Sequence, residues 1–124
     1  MARILIVDDD PALLSSVSRA LELKGHEVAQ ASDGRRALEQ FRAQPADLVL
    51  TDIYMPDVDG LEFTRALGRE FVGAKIVAMS GGVLQDRDQA LEIARHMGAV
   101  ATLPKPFALE QLYEVVSTVL PGSG

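Results

Sequence analysis

The stretch Leu48-Val49-Leu50-Thr51-Asp52 is an apolar run that ends in a carboxylate and leads into a loop containing proline and glycine. A continuous apolar run of this length is typical of a strand buried on both faces of a parallel sheet. A charged residue at its end lies at the carboxyl edge of the sheet, where open α/β sheets bind their ligands. Asp52 is therefore the candidate functional residue, with a helix-capping or turn aspartate as the structural alternative.

Around this run the chain alternates between strand and helix patterns. The predicted strands cover residues 4–7, 27–31, 47–51, 74–79 and 99–103. The predicted helices run from Pro11 to before Gly25, from Gly34 to before Pro45, and over residues 60–70, 86–97 and 108–120. The second strand is the least apolar, so we expect it at a sheet edge. Apolar spacing predicts that the last helix is buried through Leu109, Leu112, Val116 and Val119.

Five strands that alternate with helices imply a parallel sheet covered by helices on both faces. Right-handed crossovers reduce the possible topologies to a doubly wound sheet. The predicted fold is α/β, a flavodoxin-like (βα)5 domain with a parallel five-stranded sheet in the order 2-1-3-4-5. We expect one domain over residues 1–120 and a frayed tail over residues 121–124.

The composition narrows the class of protein. The chain has 124 residues, a length that fits one domain, and its formal net charge of −6 argues against a nucleic-acid-binding face. It contains no cysteine, which excludes disulfides and thiol catalysis. No apolar run approaches the roughly 20 residues of a membrane span, and the start does not have the pattern of a signal peptide. We expect a soluble, cytoplasmic domain in which His26 and His96 are solvated.

Polar residues follow four of the predicted strands. In a parallel sheet these positions share one edge, which brings together Asp8, Asp9, Asp52, Ser80 and Lys105. Several carboxylates in one pocket repel one another, and a hard cation such as Mg²⁺ relieves that repulsion through oxygen ligands. A carboxylate nucleophile with a metal, a lysine and a hydroxyl is what phosphoryl transfer onto an aspartate requires. Taken singly, each residue also has a structural explanation, as a helix cap, a turn residue or a solvated lysine.

With this set of residues, the chain resembles the receiver domain of two-component response regulators, the CheY-like superfamily. The resemblance covers essentially the whole sequence. It rests on four motifs, which are Ile4-Leu5-Ile6-Val7-Asp8-Asp9-Asp10, Asp52-Ile53-Tyr54-Met55-Pro56-Asp57-Val58-Asp59-Gly60, Met79-Ser80-Gly81 and Lys105-Pro106-Phe107.

The resemblance implies roles for the residues that would handle the phosphoryl group. Asp52 corresponds to the phosphoacceptor, Ser80 to the switch hydroxyl and Lys105 to the phosphate-binding lysine. The peptide bond between Lys105 and Pro106 is expected to be cis. One position departs from the family pattern, because Thr102 stands where the family usually has a switch tyrosine or phenylalanine. A threonine has no ring to move between buried and exposed rotamers, so the usual coupling of hydroxyl to aromatic cannot operate through a ring at this position.

The resemblance also implies a Mg²⁺ site. Its expected ligands are the carboxylates of Asp8, Asp9 and Asp52 and the backbone carbonyl of Tyr54. Within the acidic pair, Asp9 corresponds to the direct ligand, and Asp8 corresponds to a ligand that acts through water.

The function implied is that of a phosphorylation-switched signalling receiver rather than a metabolic enzyme. The expected phosphodonor is a histidine kinase or a histidine phosphotransfer protein, and the domain would catalyse only its own phosphorylation and dephosphorylation. We expect a downstream protein target, no nucleic-acid or membrane partner, and a monomer or a weak phosphorylation-dependent dimer. Two alternatives within the family stay open: the receiver module of a longer response regulator or hybrid kinase, and a receiver that binds partners without phosphorylation.

Two alternatives come from other classes of protein. A small phosphohydrolase with an aspartate nucleophile would place a general acid two residues later, where this chain has Tyr54. A flavodoxin-like FMN carrier would need a phosphate loop rich in serine, threonine and glycine after the first strand. Here that position holds Asp8-Asp9-Asp10, which would repel a phosphate group. The sequence argues against both.

Overall fold

The computed structural model describes residues 2–52, 60–71, 73–80 and 98–120. These ranges contain β1 (Arg3–Val7), α1 (Pro11–Leu23), β2 (Glu27–Ala31), α2 (Gly34–Ala43), β3 (Leu48–Asp52), α3 (Gly60–Glu70), β4 (Ile76–Ser80), β5 (Ala101–Pro104) and α4 (Leu109–Val119). The helix predicted over residues 86–97, the expected ligand Tyr54, His96 and the tail 121–124 lie outside the described residues. Among the helices that are described, none is long and apolar enough to cross a bilayer.

The five strands form one parallel sheet in the order β2-β1-β3-β4-β5, which confirms the predicted flavodoxin-like topology. β2 lies at an edge, as its weaker apolar character predicted. β3, β4 and β5 each begin and end one or two residues later than predicted. As a result Asp52, Ser80 and Pro104 are the last residues of their strands. Strand pairing continues to these residues, since Asp52 is in register with Met79 and Ser80 with Pro104.

Each face of the sheet has its own hydrophobic core, because successive residues of a strand point to opposite sides. On one face, Ile4 and Ile6 of β1 pack with buried side chains of α1 and α4. On the other face, Leu5 and Val7 pack with buried side chains of α2 and α3. All four residues of this run are at most 2% exposed. The burial of both faces explains why the strand is continuously apolar rather than alternating.

The described helix ends follow local sequence signals. Asp10 caps α1, and its side chain accepts hydrogen bonds from the backbone N–H groups two and three residues later at 3.0 and 3.4 Å. Pro11 occupies the first helical position, where a missing N–H costs nothing. Gly25 follows α1 with φ +88°, a backbone conformation that favours glycine. Asp33 caps α2 in the same way as Asp10 caps α1, accepting from a backbone N–H at 2.8 Å.

The prediction that Leu109 is buried is wrong. Leu109 is 52% exposed, whereas Leu112 and Val116 of the same helix are 0% and 4% exposed. Val119 is partly buried against the core. Leu109 is the first residue of α4 and lines an open pocket beside α1 rather than the core. Apolar spacing identified the correct side of the helix, but not where along the helix the core begins.

Two glutamines attach the edge strand β2 to the helices beside it. The Gln30 side chain donates a hydrogen bond from Nε2 to Ser18 Oγ of α1 at 2.7 Å. Gln40 of α2 donates from its Nε2 to the backbone carbonyl of Gln30 at 3.0 Å. The side chain and the main chain of one edge residue are therefore bonded to helices on opposite faces of the sheet.

The prediction that His26 is solvated is also wrong. His26 is 8% exposed, and its ring Nδ1 accepts a hydrogen bond from the backbone N–H of Ala2 at 3.2 Å. The carbonyl of Ala2 in turn accepts from the N–H of Glu27 at 2.8 Å. The His26 ring therefore joins the segment before β1 to the segment before β2. Burial lowers the pKa of His26 below its usual value, because the charged imidazolium is poorly solvated there.

We expect His26 to make the protein less stable in mild acid. Above the ordinary histidine pKa of about 6.5 the ring is neutral in both the folded and unfolded chains. As the pH falls through that value the unfolded chain takes up a proton that the folded chain resists, so the free energy of unfolding decreases. Urea unfolding at pH 7.5 and pH 5.5 measures this loss.

His26→Asn is the matched variant, since its amide oxygen can accept from Ala2 and does not titrate. The loss of stability between the two pH values should be smaller in His26→Asn than in the parent protein. Equal losses in the two proteins would show that His26 does not contribute to the acid sensitivity.

Candidate functional site

The carboxyl edge of the sheet holds the residues that the sequence singled out. β1 ends at Val7 and places Asp8 directly after it, while β3 ends in Asp52 itself. These two strands are neighbours in the sheet, with Val7 in register with Thr51. Asp8 is 0% exposed and Asp52 is 8% exposed. The parallel topology therefore brings two buried carboxylates together, as predicted.

Lys105 bridges these two carboxylates. Its Nζ lies 2.6 Å from Asp8 Oδ2 and 3.0 Å from Asp52 Oδ2, and both contacts are charge-assisted hydrogen bonds. Lys105 is the residue after β5, and its peptide bond to Pro106 is cis, as the resemblance implied. Lys105 is 97 positions from Asp8 and 53 positions from Asp52 in the sequence, yet the three side chains form one charged group.

The hydrogen-bond donors around Asp8 compensate its negative charge only in part. Burial raises the pKa of Asp8, because the ionised form loses its hydration. The hydrogen bonds from Lys105 and from the backbone N–H of Asp10 act in the opposite direction without cancelling the effect of burial. Added positive charge beside Asp8 would therefore stabilise its ionised form.

Lys105 shows the complementary behaviour. Burial by itself would lower the pKa of Lys105, but the hydrogen bonds and charges of Asp8 and Asp52 outweigh it, so the pKa of Lys105 is raised. The lysine is therefore protonated at neutral pH and presents a fixed positive charge to both carboxylates. Its side chain is 22% exposed, which leaves it accessible from solvent.

The acidic residues have a donor set suited to a hard cation. Asp8, Asp9 and Asp52 each offer one carboxylate oxygen, and these three oxygens lie within 4.8 Å of one another. Oxygen ligands are those that Mg²⁺ prefers. Asp9 is exposed whereas the other two are buried, and this suits a cation that keeps several of its waters. The described residues therefore fit the metal that the sequence predicted.

Two further predicted residues lie in β4 and β5, the strands beyond β3 in the sheet. Ser80 is the last residue of β4, next to the strand that carries Asp52, although its side chain is not among the parts of the chain that are described. Thr102 lies in β5 in register with Ala78 and is partly exposed. The roles of Ser80 and Thr102 in switching stay predictions.

Asp10, the third residue of the acidic run, was not among the residues predicted for the site, and it caps α1. In the structure its backbone N–H also donates to Asp8 Oδ1 at 2.9 Å. A signal for this contact was present in the sequence, because an aspartate commonly accepts a hydrogen bond from the N–H two residues later. The run of three aspartates thus contains one residue that contacts the site through its main chain.

A pocket of about 440 Å³ lies beside the site. α1 and the segment after β5 form its walls, with Leu13 and Ser16 on one side and Pro106, Phe107 and Leu109 among the residues on the other. Asp10 and Lys105, the two residues that donate hydrogen bonds to Asp8, also line it. The pocket is mostly apolar and adjoins the charged site.

Comparison with known proteins identifies the class. The family model of the response regulator receiver domain matches residues 4–117. The chain therefore belongs to the response regulator receiver domain family, whose members act in two-component signalling.

Particular relatives support this assignment. Over 112 residues, 89% of this chain, the sequence is 42% identical to the response regulator MprA of Mycolicibacterium vanbaalenii. The chain spans only 46% of that protein, or about half the length of the curated relatives it matches. Among solved structures, it superimposes on the chemotaxis protein CheY4 of Vibrio cholerae with a TM-score of 0.87 and 30% identity, covering 96% of this chain and 98% of that one. It also superimposes on NtrX of Brucella abortus with a TM-score of 0.89 and 29% identity, covering 98% of this chain and 27% of NtrX.

Proposed function

We propose that this chain is a phosphorylation-switched receiver that accepts a phosphoryl group onto Asp52 with the help of Mg²⁺. The observation that carries the proposal is the bridge from Lys105 Nζ to Asp8 and Asp52, beside three clustered carboxylate oxygens. Phosphoryl transfer depends on positioning and charge neutralisation. Beside Asp52, the protonated Lys105 and the neighbouring carboxylates, which would hold a cation, are suited to both tasks.

The reaction proposed is a transfer between two side chains. An oxygen of the Asp52 carboxylate forms a bond to phosphorus while the phosphorus–nitrogen bond of a phosphohistidine breaks, and the electron pair of that bond stays on the histidine nitrogen. Lys105 lies 3.0 Å from Asp52 Oδ2 and would hold a phosphoryl oxygen at this place. Ser80, at the end of the neighbouring strand, would donate its hydroxyl to another phosphoryl oxygen.

The residues proposed to hold Mg²⁺ are Asp8, Asp9 and Asp52, with the backbone carbonyl of Tyr54 as the further ligand that the family resemblance implies. When bound, the cation supplies positive charge that offsets the charge of the transferred group. Burial raises the pKa of Asp8, and a bound cation would oppose this effect by stabilising the ionised carboxylate.

The proposed phosphodonor is a histidine kinase or a histidine phosphotransfer protein in the cytoplasm, and the proposed result is altered binding of a protein target. Self-catalysed phosphorylation and dephosphorylation would be the only reactions of the domain. Because the matched relatives are about twice as long, the proposal covers a stand-alone receiver and the receiver module of a longer regulator alike. We propose a monomer or a weak phosphorylation-dependent dimer.

Incubation with MgCl₂ and acetyl phosphate, followed by intact-mass spectrometry, tests the proposal. We expect a gain of one phosphoryl group that requires Mg²⁺ and is absent in Asp52→Asn, because the amide is not a nucleophile for phosphorus. Asp47→Asn is the matched control. Asp47 lies before β3, and its carboxylate accepts from the backbone N–H of Arg3 at 2.8 Å, so this variant should be phosphorylated normally.

Two outcomes would contradict the proposal. The first is a phosphoryl gain that persists in Asp52→Asn, since the acceptor would then be another residue. The second is the absence of a gain in the parent protein both with acetyl phosphate and with a phosphorylated histidine phosphotransfer domain. That second outcome would favour a receiver that binds partners without phosphorylation.

A further inference from the structure

Both carboxylate oxygens of Asp8 are held by a hydrogen-bond donor. Oδ1 accepts from the backbone N–H of Asp10 at 2.9 Å, and Oδ2 accepts from Lys105 Nζ at 2.6 Å. The two donors come from different segments that line the neighbouring pocket, one at the start of α1 and one after β5. A carboxylate with a donor on each oxygen cannot rotate about its Cβ–Cγ bond without losing one of them. The direction of the remaining lone pairs is therefore fixed.

The direction of the Asp10 N–H depends on the Asp10 side chain. Asp10 Oδ1 accepts from the N–H groups of Ala12 and Leu13, and these bonds hold the backbone of Asp10 in an extended conformation, with φ −94° and ψ 108°. The N–H of the same residue points at Asp8. The capping bonds thus determine where this donor lies relative to the acidic cluster.

We propose that Asp10 is a positioning residue for the cation site. By capping α1 it orients its own N–H on Asp8 Oδ1, and this contact sets the Asp8 carboxylate at the angle at which it serves the cation. The proposal rests on the proposed function, because the cation site is part of that function. Groups that orient a ligand without touching the metal commonly contribute to its affinity.

Asp33 provides an internal comparison. It caps α2 with the same chemistry, its Oδ1 accepting from the N–H of Arg36 at 2.8 Å. Asp33 is not one of the clustered carboxylates. Removing either cap should cost a similar amount of helix stability, but only removal of the Asp10 cap should change the way in which Asp8 is held.

Isothermal titration with MgCl₂ of the parent protein, Asp10→Ala, Asp10→Asn and Asp33→Ala tests the proposal. We expect Asp10→Ala to weaken Mg²⁺ binding roughly tenfold. Asp10→Asn keeps the capping oxygen and loses only an exposed charge, so its dissociation constant should stay within about threefold of the parent value. Asp33→Ala should bind Mg²⁺ as the parent does while its melting temperature falls about as far as that of Asp10→Ala.

Three results would overturn the positioning role, given a parent protein that binds Mg²⁺. These are parent-like affinity in Asp10→Ala, an equal loss in Asp10→Asn, or an equal loss in Asp33→Ala. The first would show that the contact does not matter, the second that only charge matters, and the third that the effect is one of general stability. A parent protein that binds no Mg²⁺ would instead overturn the proposed function, and the positioning role with it.

Discussion

Lys105→Met is expected to lower the free energy of unfolding by about 3 kcal/mol in metal-free buffer at neutral pH. The side chains of Asp8 and Asp52 are 1% and 11% exposed, and Lys105 donates to both. Removing the lysine leaves two neighbouring carboxylates in a poorly solvated place without the positive charge between them. Removing one partner of a buried ion pair costs more than the pair contributes, because the remaining charge has lost its hydration. Urea unfolding gives the change directly.

Added MgCl₂ should recover part of this loss. Lys105 and a divalent cation compensate the same carboxylates, and their like charges oppose each other, so the cation should stabilise Lys105→Met more than it stabilises the parent protein. Lys75→Met is the matched control. Lys75 is exposed and donates to the carbonyl of Val119 at 3.1 Å, so its replacement should cost less than about 1 kcal/mol and should not change the response to Mg²⁺. If Lys105→Met were as stable as Lys75→Met, the bridge would not contribute to folding.

Leu112→Ala is expected to lower the free energy of unfolding by about 2–5 kcal/mol. Leu112 is 0% exposed and belongs to the core between the sheet and the pair formed by α1 and α4. Truncation to alanine removes apolar contacts and leaves a cavity that the surrounding strands and helices fill only in part. The urea midpoint should fall without a change in the dependence on urea concentration, since the surface exposed on unfolding is nearly the same.

Leu109→Ala tests the same chemistry in the same helix outside the core. Leu109 is 52% exposed, so truncation should change the free energy of unfolding by no more than about 0.5 kcal/mol. Equal losses in Leu109→Ala and Leu112→Ala would contradict the division between core and pocket described for α4.

The strand order and the convergence of Asp8, Asp52 and Lys105 could be predicted from the sequence. Continuous apolar runs and helical spacing define a parallel doubly wound sheet, and this topology places the ends of its strands at one edge. The individual hydrogen bonds at that edge could be predicted only in part. The hydrogen bond from the Asp10 N–H to Asp8 has a local signal, but the way in which Lys105 reaches both Asp8 and Asp52 depends on tertiary packing that no local pattern specifies.

The two errors have a similar physical origin. His26 stands between Gly25 and Glu27, a context typical of a surface turn, but its ring is buried and accepts a hydrogen bond from Ala2, a residue 24 positions away. Leu109 fits the apolar spacing of its helix, but whether that position is buried depends on which other elements pack against the first helical turn. Both cases depend on tertiary contacts that no local pattern encodes.

The glutamine pair at β2 also affects how copies of this molecule meet one another. An edge strand offers unpaired main-chain groups to which a strand of another molecule can add, a common first step in aggregation. Because the carbonyl of Gln30 already accepts from Gln40, an incoming strand would have to displace that side chain to use it. Addition of a strand from another molecule through this carbonyl is thereby disfavoured.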